Sequence, residues 1–193
     1  LIIIGIPAVL LIAQPDIGTL GVVALTGVAI YFIAGANIIF FPVIISGGIL
    51  SVFLITKIFP HAANRLLIFF HPELAPQGIG YQINQAQMAI GSGGFFGKGL
   101  GQGIQKFRYL PEPTSDSILA VIGEELGFIG IFSFLFLFSV LIARGFKIAK
   151  NAPDNFGRLL AGGIIAWFAI QLIINSAAIS GLMPLTGITL PFI

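Results

Sequence analysis

The sequence predicts an all-α integral membrane fold, a polytopic helical bundle with one long structured extracytoplasmic loop. Composition is the first reason: 57% of the 193 residues are hydrophobic and 8% are charged, with a mean hydropathy of +1.07. Soluble domains carry about a quarter charged residues, and nine Lys/Arg with seven Asp/Glu cannot cover a water-facing surface of this size. Segmentation is the second reason, because the apolar residues fall into runs of roughly the length that crosses a bilayer. The third is a single long interruption, residues 60–117, which holds nine of the 25 glycines and five of the 11 prolines. The net charge of +2 comes from scattered residues without a basic run, which argues against a nucleic-acid arm. No cysteine is present, which excludes a disulfide framework and a thiolate metal cluster.

Five segments are read as helices: residues 1–13, 18–34, 38–59, 118–143 and 159–179, with an apolar remnant from Gly181 onward. The first has no basic leader and no small-residue cleavage site, so it is not a signal peptide. The chain opens and closes inside apolar runs, at Leu1 and at Pro191-Phe192-Ile193. An internal fragment, a single transmembrane domain from a longer protein, is therefore expected. Gln14-Pro15-Asp16 breaks the first run, with Asp16 placed to cap the next helix. Gly35-Ala36-Asn37 makes a second uncharged turn, and Lys57 is read as a helix-end lysine reaching for the interface. Arg144, Lys147, Lys150 and Arg158 against a lone Asp154 mark residues 144–158 as a short cytoplasmic loop by the positive-inside rule. Alternation then puts residues 60–117 and the tail outside. Asn175, inside the last helix, needs a hydrogen-bond partner there.

The long loop has seven glycines between Gly91 and Gly103, interleaved with Met88, Phe95, Phe96, Phe107 and Tyr109. That mixture predicts a folded, functional loop on the membrane surface rather than a linker. It is not a nucleotide loop: Ser92 stands where Walker A needs its first glycine relative to Lys98, and Gly99 follows the lysine where Ser or Thr is needed. Its glycines could instead bring backbone amides close to an anionic headgroup, with Arg65, Lys98, Lys106 and Arg108 supplying positive charge. The same bases could equally rest on lipid phosphates.

Among the carboxylates, Asp116 stands just ahead of the apolar run from Ile118, where it is either a helix cap or a general base on a rigid helix start. Glu112 is the nearest second carboxylate. Glu124 and Glu125 lie roughly 12–14 Å further along the helix, a costly depth that suggests a cavity or a buried partner. Glu124, about 80° around the helix from Asp116, is the cavity candidate. His61 and His71 lack metal-ligand spacing.

These residues, taken in order, resemble the SEDS family (shape, elongation, division and sporulation), the polytopic bacterial peptidoglycan glycosyltransferases. The resemblance rests on Gln14-Pro15-Asp16-Ile17-Gly18-Thr19, Gly80-Tyr81-Gln82, the run from Ala89 to Gly101, Gln105-Lys106, Tyr109-Leu110-Pro111-Glu112-Pro113-Thr114-Ser115-Asp116, Val121-Ile122-Gly123-Glu124-Glu125-Leu126-Gly127, and Pro184 to Ile193. The pattern over residues 105–112 is closer to the division branch than to the elongation branch. The resemblance implies polymerisation of lipid II into glycan strands during division or elongation, in the bacterial inner membrane. It maps the family's essential aspartate onto Asp116; Ser117 replaces a phenylalanine common in the family, which bears on packing beside the aspartate. Arg65, Lys98, Lys106, Glu112 and Glu124 are then expected to bind substrate. The implied partners are lipid II, the growing strand, a class B penicillin-binding transpeptidase and other membrane proteins of the division or elongation machinery, with no nucleic acid. The cofactor stays open between none and a divalent cation, magnesium or manganese. The competing readings are a lipid II flippase, which the lack of a repeated pair of interrupted helices disfavours, and a non-catalytic division scaffold.

Overall fold

The computed structural model describes residues 2–71, 74–75, 78–105, 111 and 115–192, with the side chains of residues 2–4 and 79 outside the description. All regular structure among the described residues is helical. The elements are α1 (Ile2–Ala13), α2 (Ile17–Ile33), a 3₁₀ turn (Ile38–Phe40) leading into α3 (Phe41–Ile58), α4 (Pro60–Phe70), α5 (Ile79–Gly93), α6 (Ile118–Lys150) and α7 (Asn155–Ile179). The spans Ile38–Ile58, Ile118–Lys150 and Asn155–Ile179 are long and apolar enough to cross a membrane, and α2 is a shorter apolar helix. The chain is thus an all-α integral membrane fold.

Local chemistry sets the helix ends. Asp16 Oδ1 accepts the Thr19 amide at 3.0 Å and starts α2; Asn37 Oδ1 does the same for Ile39. Asp154 Oδ2 accepts the Gly157 amide at 3.0 Å at the start of α7. Each satisfies a donor that the first helical turn leaves without a backbone partner. At the other end of α7, Gly181 (φ 78°) sends its amide to the Ala178 carbonyl, and Leu182 sends its amide to Ala177. This Schellman closure needs the left-handed conformation that glycine adopts without strain.

Two stretches differ from the sequence expectation. Residues 60–117 hold two helices besides loop. Pro60 sits at the first position of α4, where its missing N–H costs nothing, and Ala62, Leu66 and Phe69 recur at i, i+4 and i+7 against His61, Asn64 and Arg65. Such an amphipathic period is invisible to a search for twenty-residue apolar runs. The basic stretch is also mostly helical, since α6 continues to Lys150 and α7 begins at Asn155. Lysines in the last turn favour the helix by complementing its dipole, so their charge marks a membrane face rather than a helix end.

The chain forms two compact units, residues 1–66 with 144–170, and residues 67–143 with 171–193. In the first, α7 brings Gly163 and Gly162 against Ile30 and Ile33 of α2; a Cβ at either glycine would stand 2.9 Å from an isoleucine methyl. In the second, Ile83, Ala86 and Ala89 of α5, Leu119, Ala120, Val121 and Phe138 of α6, Leu172 and Ile179 of α7, and Leu185 and Leu190 of the non-helical tail form the core. Small residues dominate the α5 face at three-residue spacing. Lipid is as apolar as leucine, so close van der Waals packing rather than water exclusion holds such a face.

Candidate active site

The site is built where α6 breaks. Gly127 has φ 67° and ψ −161° inside the run Ile118–Lys150, which divides α6 into a short first segment and a second segment of about 34 Å by helical rise. A break frees backbone groups that a bilayer cannot satisfy. Here the glycine-rich loop satisfies them: the Lys98 and Gly99 amides donate to the Glu124 and Glu125 carbonyls at 3.0 Å each, while the Phe128 and Ile129 amides donate to Gly94 and Phe95 at 2.8 and 3.2 Å. Backbone meets backbone so closely that side chains are excluded. A Cβ at Gly93 would strike the Gly123 carbonyl, one at Gly97 the Glu125 carbonyl, and one at Gly127 the backbone of Gly97 and Phe95. Gly127→Ala is expected to cost about 1–3 kcal/mol for the conformation alone, and more for the clash. Gly47→Ala on α3, where nothing lies within 4 Å of the new methyl, is expected to leave the melting temperature in detergent unchanged or raised. Equal melting temperatures for the two variants would refute the clasp.

The two glutamates of α6 belong to this clasp. Glu124 is fully buried; its Oε1 accepts the Lys98 ammonium at 2.8 Å and the Ile104 amide at 3.1 Å, and its Oε2 accepts the Gln105 amide at 3.1 Å. Glu125 Oε2 accepts the Gly101 amide at 3.0 Å. A carboxylate so placed is paired and hydrogen-bonded, the condition under which burial of its charge is tolerable. Instead of lining an open cavity, Glu124 is paired with a cation whose own side chain is partly exposed: the structure brings Lys98 and Glu124 onto one another, and the Lys98 side chain keeps 33% exposure.

Asp116 lies two residues before α6 and is half-buried. Its Oδ2 accepts from Gln82 Nε2 on α5 at 3.3 Å, and its Oδ1 from Ser115 Oγ at 3.3 Å. Gln82 also donates to the buried Ser117 hydroxyl at 3.3 Å. The Ala120 amide goes to the Ser117 carbonyl, so among the described residues the Asp116 carboxylate faces α5 rather than capping the helix. Its backbone is held independently, because Asn175 Nδ2 donates to the Asp116 carbonyl at 2.8 Å and to the Ile188 carbonyl at 2.7 Å. Asn175 is 2% exposed; its Nδ2 donates to two non-helical carbonyls rather than to a helix face, while its buried Oδ1 has no partner among the described residues. A carboxylate fixed at side chain and backbone, yet open in part to its surroundings, has the geometry that a positioned proton acceptor requires.

The other expected site residues fall in different places. Arg65 lies half-buried on α4 in the first unit. Lys106 and Glu112 lie outside the described residues. Among the described residues no three His, Asp or Glu side chains gather as metal ligands. Sequence reasoning assigned no role to Gln82 and did not place the helix break at Gly127. The signal for Gln82 was present, a glutamine in the first turn of a segment whose period buries Ile83 and Ala86. Nothing local marks Gly127 among 25 glycines.

Comparison with known proteins agrees with this architecture. The chain is 45% identical over 187 residues to the probable peptidoglycan glycosyltransferase FtsW of Trichlorobacter lovleyi, covering 95% of this chain and 48% of that protein. It is 46% identical over 184 residues to the stage V sporulation protein E of Bacillus subtilis, covering 95% and 50%. The chain therefore spans about half the length of the curated relatives it matches. Among solved structures, a chain described under structural coordination of polymerization and crosslinking by a peptidoglycan synthase complex matches with a TM-score of 0.69 and 26% identity, over 94% of this chain and 50% of that one. The model of the FtsW, RodA and SpoVE family, described as cell cycle proteins, matches residues 1–193, and the chain accordingly belongs to that family of multi-pass inner-membrane proteins.

Proposed function

We propose that this chain carries the catalytic aspartate of a peptidoglycan glycosyltransferase, which polymerises lipid II into glycan strands. The observation that supports this most directly is Asp116, held by Gln82 through its side chain and by Asn175 through its backbone, at the start of a helix whose break is clasped by the glycine-rich loop. The 4-hydroxyl of one disaccharide attacks the anomeric carbon of the lipid-linked strand. A C–O bond forms there, the bond to undecaprenyl pyrophosphate breaks, and Asp116 takes the hydroxyl proton. Arg65 and Lys106 act as cations toward the pyrophosphate, and Glu112 contributes to substrate binding. Lys98 and Glu124 serve the same reaction from within the clasp, where their charges are matched to each other. Fixing the base ahead of the reaction removes the cost of orienting it.

Partners follow the same reading. The related solved structure is of a complex that couples polymerization to crosslinking, and a class B penicillin-binding transpeptidase is the partner of matching chemistry for this chain.

The deciding experiment supplies lipid II to the purified full-length protein with its transpeptidase and measures strand formation with and without Asp116. Polymer that depends on Asp116 supports the reading. Transfer of lipid II across a bilayer without polymer would replace it with a flippase, and strand formation indifferent to Asp116 would remove the base.

A further inference from the structure

We propose that the turn between α6 and α7 forms a binding site for the phosphate headgroup of an anionic phospholipid from the surrounding leaflet. The site lies wholly within the first unit and rests on no part of the glycosyltransferase reading. A cavity of about 610 Å³ opens between the end of α6 and the start of α7, lined by Arg144, Lys147 and Ile148 on one side and Asn151, Pro153 and Gly157 among those on the other. Arg144 and Lys147 stand three residues apart, a spacing that puts them on one helix face. No carboxylate lines the cavity. The nearest acid in sequence, Asp154, has its Oδ2 on the Gly157 amide as a helix cap, and among the described residues neither Arg144 nor Lys147 has an ion pair.

The ordinary explanation for basic residues here is the helix dipole. It covers Lys147 and Lys150, which lie in the last turn of α6, but not Arg144, which lies before that turn. A cavity whose lining combines two cations with apolar Ile148, Ala152 and Pro153 matches a ligand that is anionic at one end and apolar at the other. Arginine supports this choice, since its planar fork grips phosphate through two parallel hydrogen bonds. Basic pockets between membrane helices on the cytoplasmic side take such headgroups, each Lys or Arg strengthening the attraction about fivefold. The positive-inside rule assigns this turn to that side.

The test uses the full-length protein in nanodiscs and reads bound lipid by native mass spectrometry, with phosphatidylglycerol as the probe and phosphatidylcholine as the zwitterionic control. Arg144→Gln with Lys147→Gln is expected to weaken phosphatidylglycerol retention about twenty- to thirtyfold and to leave phosphatidylcholine unchanged. Arg144→Lys, which keeps the charge and the fold, should lose severalfold at most. Unchanged phosphatidylglycerol retention in the double variant, or equal retention of the two lipids by the native protein, overturns the proposal. Displacement of phosphatidylglycerol by millimolar inorganic phosphate overturns its lipid source and makes the cavity a free-anion site.

Discussion

Replacing Asp116 by asparagine in the full-length protein is expected to lower lipid II polymerisation by about 10²- to 10⁴-fold, the usual contribution of a positioned general base. The substitution is nearly isosteric, and the geometry protects the fold from it. Asparagine keeps a carbonyl oxygen that can accept from Gln82 Nε2, now at 3.3 Å from the carboxylate, and the bond from Asn175 to the Asp116 backbone carbonyl does not involve the side chain. Stability should therefore change by less than about 1 kcal/mol, as for most substitutions that leave no buried group orphaned. What is lost is the ability to take a proton. Rates of strand formation from purified protein, measured beside a thermal melt, separate the two effects. A native rate in Asp116→Asn would end the general-base assignment, and a collapsed melt would mean that Asp116 is structural.

The second large effect is expected at the clasp. Glu124→Gln should destabilise the protein by about 2–3 kcal/mol, because the new amide group must point its N–H bonds at existing donors. Both oxygens of the native carboxylate accept: Oε1 from Lys98 and Ile104, and Oε2 from Gln105. Whichever way the amide is turned, at least one donor faces another, and a buried donor without an acceptor costs about 1–3 kcal/mol. Lys98→Met removes the cation and leaves a fully buried carboxylate with backbone donors alone. Breaking a buried pair costs about 3–5 kcal/mol, and the partial exposure of Lys98 puts this case at the low end. The double variant should cost about 0.5–3 kcal/mol less than the sum, the coupling expected of contacting residues. Strict additivity in unfolding measurements would show that the pair does not hold the loop. Polymerisation should fall in each single variant, since Ile104 and Gln105 lead into the segment that ends at Asp116.

Much of this was legible in order. The turn at Asp16 announced its cap, the apolar runs announced α3, α6 and α7, and the motifs around Asp116 pointed to the residue that the structure then shows held from two sides. Less legible were α4 and α5, whose small and amphipathic faces bury too little apolar surface per residue to register against spanning segments. The continuation of α6 through Arg144 and Lys147 was hidden for a related reason. Charge reports where lipid ends, whereas helix propensity decides where the helix ends.

By itself the sequence determined the solvent of this protein, because 8% charged residues leave lipid as the environment for most of its surface, and its resemblance to a family pointed to Asp116 as the proposed base where the residues alone left a helix cap equally open. Only the tertiary structure decided what the neighbours of that aspartate do. Gln82 lies 34 positions from Asp116, Asn175 lies 59 positions away, and Lys98 meets Glu124 across 26. Hydrogen bonds are short-ranged and directional, so such partners depend on how α5, α6 and α7 pack rather than on any local pattern. The break at Gly127 follows the same rule. One glycine permits a left-handed turn, but only the arrival of the Gly93–Gly99 backbone, with amides and carbonyls to match the ones it frees, makes that turn stable inside a membrane helix.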